Sequence, residues 1–430
     1  MKFIFPDSLD LVDPSFNFET ETRNPNRVRQ QQDIYPHELF AEPPYDGMLV
    51  SKAVVDGSSE GGSGKYTIAQ RQRLLRGGVR EFLRLDRADA TAKIQTMGDC
   101  GGFSYVRQTE PPYTVDEVID FYTACGFDFG VSVDHVILGY RSPSDPLLLT
   151  DNAELAAWRH RQEITLRLAK EFLSVHVKRR CRFVPVGVAQ GWSPASYAES
   201  VEELQKMGYD HVAIGGLVPL KSHEILEVLS AIAPNLRGGV KMHLFGVTRC
   251  DHIRRFKGFG ATSFDSTSPF RQAFKDDKDN YHTPTRPYTA IRVPQVEANP
   301  TFKKRILAGL VKQDLARELE CACMTALIGF DRGTVSLDET LDLLTRYECL
   351  HDGKIQRTEI YREVLRDQPW KQCECDICRK IGIHAIIFRG AERNRRRGFH
   401  NLWVFKNRLR RELITPTHPE LIQSQASGDQ

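Results

Sequence analysis

Residues 93–103 read Lys-Ile-Gln-Thr-Met-Gly-Asp-Cys-Gly-Gly-Phe, and the fold follows from how this stretch is understood. A short strand-like run, 93–97, leads into a carboxylate at Asp99 and then into Gly101-Gly102, a pair that lets backbone approach a ligand closely. Taken singly, a turn with a capping Asp is the better reading of these residues. The pattern recurs, however. Asp134 follows the run 129–133, Gln190 follows 183–188, Gly215-Gly216 follows 211–214, and Asp265 follows 262–264. Further strands are expected at 48–55, 241–245 and 290–293, with helical patterns at 152–177, 196–207, 222–232 and 252–256 between strands. Eight strands separated by helix-sized segments fit a (β/α)8 barrel, an α/β fold that gathers all strand C-termini around one mouth. A doubly wound sheet would accommodate the alternation, but not one ring of polar strand ends.

Outward from this core, residues 1–45 are polar and rich in Pro, Asn and Gln and read as an extended arm. The catalytic barrel is then expected over 46–295. Amphipathic stretches at 301–327 and 337–347 mark a helical insertion over 296–365. A basic, cysteine-rich subdomain is expected over 366–412 and a disordered tail over 413–430. The 430 residues are 40% hydrophobic and 27% charged, the balance of a chain with a sizeable core. No apolar run approaches the roughly 18 residues of a membrane helix, and the first apolar stretch stops at Pro6-Asp7, so no signal peptide is expected. Fifty-nine Lys and Arg against 56 Asp and Glu give a net charge of +3, too mild to name a nucleic-acid partner. Ten cysteines in so long a chain argue against a disulfide framework. A cytoplasmic enzyme is the expectation.

The strongest local signal is Cys373-x-Cys375-x-x-Cys378 with His400 downstream. Three thiolates on a tight turn and an imidazole on a following helix make a closed Cys3His tetrahedron, the chemistry of one structural zinc ion per chain. Cys321-x-Cys323 falls within a helical pattern, where residues two apart face different ways, and reads as core. Gly61-Gly62-Ser63-Gly64-Lys65 imitates a phosphate loop, but Ser59 and Tyr66 break the pattern, so a surface loop is expected. His243, within a strand, reads as a barrel-filling residue. Arg393, Arg395, Arg396 and Arg397, with Lys406, Arg408, Arg410 and Arg411, form a basic stretch assigned to nucleic-acid backbone contact. Asp99 and Asp265 at one mouth are the two carboxylates that glycosidic-bond chemistry needs, one to attack the anomeric carbon and one to move protons.

In order along the chain these residues resemble the tRNA-guanine transglycosylase family, which exchanges guanine in a nucleic acid for a 7-deazaguanine. The resemblance runs from about residue 93 to 402. Asp99-Cys100-Gly101-Gly102-Phe103-Ser104 is similar to the family's general acid/base motif, with Cys100 and Ser104 departing from its Ser and Gln. Asp134, Gln190 and the Gly215-Gly216-Leu217 turn match its base-binding residues. Phe264-Asp265 through Pro269 and Arg271 match its nucleophile motif, and Cys373, Cys375, Cys378 and His400-Asn401-Leu402 its zinc motif.

The resemblance implies Asp265 as nucleophile and Asp99 as general acid/base. It implies Asp134, Gln190, Gly215, Gly216, Leu217 and Cys100 as base-binding residues, and Arg271 in nucleic-acid contact. Two departures point to the DNA-modifying branch. The loop that follows Arg271 in tRNA enzymes is missing. Val218-Pro219-Leu220-Lys221 also stands where an acidic residue would suit an aminomethyl-bearing base. DNA is therefore the expected substrate, with a free 7-deazaguanine, 7-cyano-7-deazaguanine, as the incoming base. The branch also implies partner proteins of a modification cluster, an ATPase among them, and no membrane. The alternatives are a tRNA-modifying enzyme and an inactive binding subunit of the family. A glycoside hydrolase would explain the two carboxylates, but not Gln190, the Gly-Gly-Leu turn and the zinc motif together.

Overall fold

In the computed structural model, which describes residues 1–57, 64–86, 91, 93–145, 153–351 and 357–414, eight parallel strands close into a barrel. They are β1 (Lys2–Pro6), β2 (Gly47–Ser51), β3 (Gln95–Asp99), β4 (Phe129–Val131), β5 (Val184–Ala189), β6 (His211–Ile214), β7 (Lys241–Leu244) and β8 (Ala261–Asp265). Closure is made by β1, which pairs with β2 on one side and with β8 on the other. Alternation along the strands sends Ile4, Leu49, Met97, Val131, Val186, Val188 and Ala213 into the lumen, where they form their own cluster. The opposite faces pack on an outer ring of helices: α1 (Ile68–Phe82), α2 (Val115–Cys125), α3 (Ala153–Arg179), α4 (Pro194–Met207), α5 (Ser222–Ile232), α6 (Ile253–Gly258) and α7 (Ser268–Lys275). Their ends carry ordinary stop and start chemistry. Thr67, Thr114 and Ser193 cap α1, α2 and α4, and left-handed Gly126 and Gly208 end α2 and α4.

Two sequence expectations change here. The run 290–293 is not a barrel strand; Ile291–Arg292 pairs in parallel with Ile387–Phe388, outside the barrel. The missing strand is β1, inside the expected arm of 1–45. Phe3 and Phe5 are buried outward and Ile4 inward, which is strand alternation over too few residues to stand out beside the polar stretch that follows. The rest of that stretch is not a free arm either. Val12 bridges Ile34, and the segment lies along the helix Gly390–Ile414, the last among the described residues.

Beyond α7 come α8 (Pro300–Leu307), α9 (Gln313–Asp331), α10 (Leu337–His351), α11 (Thr358–Asp367), the short α12 (Asp376–Ile381) and α13 (Gly390–Ile414). The helix expected over 301–327 is two, because Gly309 takes a positive φ of 70° and turns the chain between α8 and α9. In α9, Cys323 is buried but Cys321 is exposed, so only one of the pair is core. Helix α13 serves as the eighth helix of the barrel. Phe405 packs edge-on against Phe3 of β1 and Phe264 of β8, and Gly398 lies flat against Phe270 of α7. Most of the phosphate-loop imitation and the tail from 415 onward lie outside the described residues. Among the described residues no helix is long and apolar enough to cross a membrane.

Candidate active site and metal centre

The parallel strands all end on one face, and the polar strand ends meet there. Asp99 closes β3 and Asp265 closes β8; Asp134 lies three residues beyond β4, and Gln190 one residue beyond β5. Asp99 is open to the mouth only in part. Its surroundings push its carboxyl from 3.8 up to about 7, through desolvation first and then through the negative charges of Asp134 and Asp265. That coupling puts the three carboxylates within electrostatic reach of one another. Asp265 is buried, and its Oδ1 accepts the Gly246 N–H at 3.0 Å.

Asp134 is held from two sides. Gln190 Nε2 donates to its Oδ2 at 2.7 Å, and the Cys100 thiol donates to its Oδ1 at 3.2 Å. Cys100 in turn accepts the Tyr105 hydroxyl at 3.1 Å. The Ile137 N–H fixes Gln190 Oε1 at 3.2 Å. Burial raises the Asp134 carboxyl, and these two donors oppose the shift. Cys100 is completely buried, so it stands behind Asp134 and orients it.

The two glycine turns are sterically obligatory. Gly101 has φ 90°, and a Cβ there would lie 2.4 Å from Ser51 Oγ. Gly216 has φ 73°, and a Cβ would lie 2.4 Å from the Ile137 carbonyl. Leu217 is buried, while Phe103 on the 3-10 turn Gly102–Tyr105, and Leu138 and Val218 on loops, are exposed apolar residues.

At the far end of the chain, Cys373, Cys375, Cys378 and His400 offer ligand atoms that all lie within 4.8 Å of one another. His400 Nδ1 is 3.4–3.5 Å from each of the three Sγ atoms. His400 Nε2 donates to the His282 carbonyl at 2.7 Å, which leaves the Nδ1 lone pair facing the sulfurs. The Cys378 N–H donates to Cys375 Sγ at 3.3 Å, and the Tyr281 ring stacks on His400. Three soft sulfurs and one imidazole, all buried but the half-buried Cys373, suit a tetrahedral metal ion with no open position.

The family description "Queuine tRNA-ribosyltransferase" matches residues 75–412. The chain belongs to this family. It is 52% identical over 413 residues to a DNA-guanine transglycosylase of Salmonella montevideo, a match covering 95% of this chain and 96% of the relative. It is also 26% identical over 186 residues to a tRNA-guanine(15) transglycosylase of Pyrobaculum aerophilum, covering 42% and 35%. The protein is a pentosyltransferase.

One expected group does not reach this mouth. Arg393, Arg396 and Arg397 are buried in α13 and spent on protein partners. Arg393 pairs with Glu21 and donates to the Phe18 carbonyl, and Arg396 pairs with Glu392 and donates to the Asp13 carbonyl. Arg397 donates to the Ala273 and Ile387 carbonyls. Arg395 is more open, yet it too donates to the chain, at the Leu11 carbonyl. Arg393, Arg395 and Arg396 form a seam with the N-terminal segment and Arg397 is spent on the protein interior, so the buried Arg393, Arg396 and Arg397 offer no nucleic-acid contact, whereas Arg408, Arg410 and Arg411 farther along α13 stay at least partly open. Arg271 differs. It is half-buried on α7, the helix following the Asp265 strand, with no carboxylate partner among the described residues, and its charge is felt by Lys65.

Sequence reading gave His243 a barrel-filling place and no link to Asp265. It fills the barrel as expected, but its Nε2 lies 3.3 Å from Asp265 Oδ1. The available signal was its register: His243 sits on β7 opposite Ser263 of β8, two residues before Asp265.

Proposed function

We propose that the protein exchanges guanine in DNA for a free 7-deazaguanine by double displacement at Asp265. The observation that carries this reading is the carboxylate pair at the mouth: Asp99, pushed up to about 7 by burial and by the nearby charges of Asp134 and Asp265, and a buried Asp265 held by a backbone donor. One is poised to carry a proton at neutral pH and the other to attack.

An Asp265 oxygen forms a bond to C1′ of the nucleotide as the C1′–N9 bond to guanine breaks. The bond pair leaves with the base, and the Asp99 proton neutralises it. The incoming base then gives its proton to Asp99 and attacks C1′, and the ester electrons return to Asp265. Two inversions give retention of configuration.

Asp134 accepts from the guanine N1–H and N2–H groups and Gln190 donates, aided by the backbone of the Gly216-Leu217 turn. An adenine would leave these buried groups unpaired, which is the source of discrimination. A paired base cannot reach the mouth, so the nucleotide flips out or is single-stranded. Exposed Phe103 offers it a stacking surface, and Arg271 with Lys65 a contact for the adjoining phosphate. Val218, where an acid would suit an aminomethyl group, favours a neutral 7-substituent, hence 7-cyano-7-deazaguanine. The metal is zinc, held by Cys373, Cys375, Cys378 and His400 in a structural role. A partner ATPase belongs to this reading through the resemblance alone, and the exchange step draws on no nucleotide hydrolysis.

A tRNA substrate is the second reading, favoured by the family description and the Pyrobaculum relative. The match to the DNA-guanine transglycosylase over 95% of the chain supports DNA instead. The deciding experiment offers radiolabelled guanine with DNA and unmodified tRNA in parallel. Label in DNA alone is expected, and label in tRNA alone would overturn the substrate. Asp265→Ala should abolish the covalent DNA adduct, and an adduct persisting in that variant would remove Asp265 as nucleophile.

A further inference from the structure

One oxygen of Asp265 is engaged twice. Oδ1 accepts the Gly246 N–H at 3.0 Å and lies 3.3 Å from His243 Nε2. His243 is buried on β7, and its other nitrogen, Nδ1, is 2.9 Å from Ser263 Oγ on β8. A carboxylate has no proton to give, so His243 Nε2 must carry one. In the neutral ring Nδ1 presents a lone pair to the Ser263 hydroxyl, 2.9 Å away. The Phe245 ring meets the imidazole edge-on, with centroids 4.8 Å apart, and restricts its swing. Below the imidazole, His243 and Ser263 border a cavity of about 260 Å³ at the floor of the barrel, so the ring is a partition between floor and mouth.

We infer that His243 is a positioning residue for the nucleophile: with the Gly246 N–H it immobilises Oδ1 of Asp265, so that Oδ2 is the oxygen that attacks the anomeric carbon. The inference rests on the reading of Asp265 as nucleophile. In the glycosyl ester, the Oδ2 lone pair has become the bond to C1′ and Oδ1 is the carbonyl oxygen, which still accepts both donors. When the incoming base displaces the ester, negative charge returns to the carboxylate, and the same two donors meet it. They therefore orient the first step and stabilise the leaving group of the second.

The test compares two amides at position 243. The Gln side chain reaches to where Nε2 stands and keeps a donor on Asp265, whereas the Asn amide reaches only to the Nδ1 position and keeps the Ser263 contact. With full-length protein, DNA and radiolabelled guanine, His243→Asn is expected to lower kcat roughly 10- to 100-fold. KM for guanine should change less than about 3-fold, because the base-binding groups are untouched, and His243→Gln should stay within about 5-fold of wild type in kcat. A merely structural histidine would make no distinction between the two amides. Wild-type kcat in His243→Asn, or an equal fall in both variants with KM rising alongside, would overturn the inference. If His243→Asn does not fold, Ser263→Ala is the substitute, with an expected loss in kcat of about 5-fold at unchanged KM; no loss there would overturn the inference equally. Peptide mapping of the trapped wild-type adduct separates the two readings. An adduct on a residue other than Asp265 overturns the nucleophile and this inference together, whereas an adduct on Asp265 with insensitive variants overturns this inference alone.

Discussion

Asp99 ties the chemistry of the mouth to a measurable stability. Its carboxyl, at about 7 against an ordinary 3.8, keeps its proton in the folded state where the unfolded chain has already lost it. Folding takes up that proton, so stability falls as pH rises from 3.8 to about 7, and the loss is complete above that. Asp99→Asn escapes the loss. Its thermal midpoint should gain on wild type between pH 5 and pH 8, and a gap that does not widen would show that the burial is not felt in solution. The same group gives exchange a basic limb near pH 7, where the proton needed by departing guanine is gone. Cys100 offers a second test. Because its thiol only orients Asp134, Cys100→Ser should keep guanine KM near wild type. Cys100→Ala, which removes a donor from a buried carboxylate, should raise it about 5- to 10-fold. Both variants behaving alike would mean that Asp134 needs no such support.

At the scale of elements, the seam between α13 and the N-terminal segment accounts for Arg393, Arg395 and Arg396 of the basic run. Glu21 lies among Arg389 and Arg393, whose charges and hydrogen bonds hold its carboxyl down to about 2 against the opposing effect of burial. Glu21→Ala leaves the buried Arg393 without its carboxylate and takes one of two from Arg389, and should cost about 3 kcal/mol in denaturant unfolding. An unchanged midpoint would count against the seam. The arginine cluster looked like a nucleic-acid face because a linear sequence shows charge but not burial. The carboxylate that neutralises Arg393, Glu21, lies 372 residues away in sequence. Cys373, Cys375 and Cys378 were legible for the opposite reason, since their spacing is local and soft ligands at that spacing have few other uses.

For the whole molecule, the Cys3His module and the barrel are one structure. α13 carries His400 to the metal and Phe405 to β1 and β8, so the metal and barrel closure share a helix. Stripping the metal with a chelator should lower the melting temperature of the barrel itself in a single transition. A separate low-temperature transition with the barrel unmoved would refute the coupling. Likewise, deleting residues 1–6 should prevent folding, because β1 fills the gap between β2 and β8. A dispensable arm would leave a stable, active enzyme.

The sequence by itself determined the barrel class, the strand-end order of Asp99, Asp134, Gln190, Gly215-Gly216 and Asp265, and the Cys3His set. Each of these is written in local spacing, which fixes where a side chain sits at the end of its own strand or turn. Only the tertiary structure decided that Lys2–Pro6 closes the barrel in place of 290–293. It alone decided that Arg393, Arg396 and Arg397 are interior, that Cys100 stands behind Asp134, and that His243 holds Asp265. Strand partners, burial and hydrogen bonds between distant residues depend on which surfaces meet, and that is a property of the closed barrel rather than of any single segment.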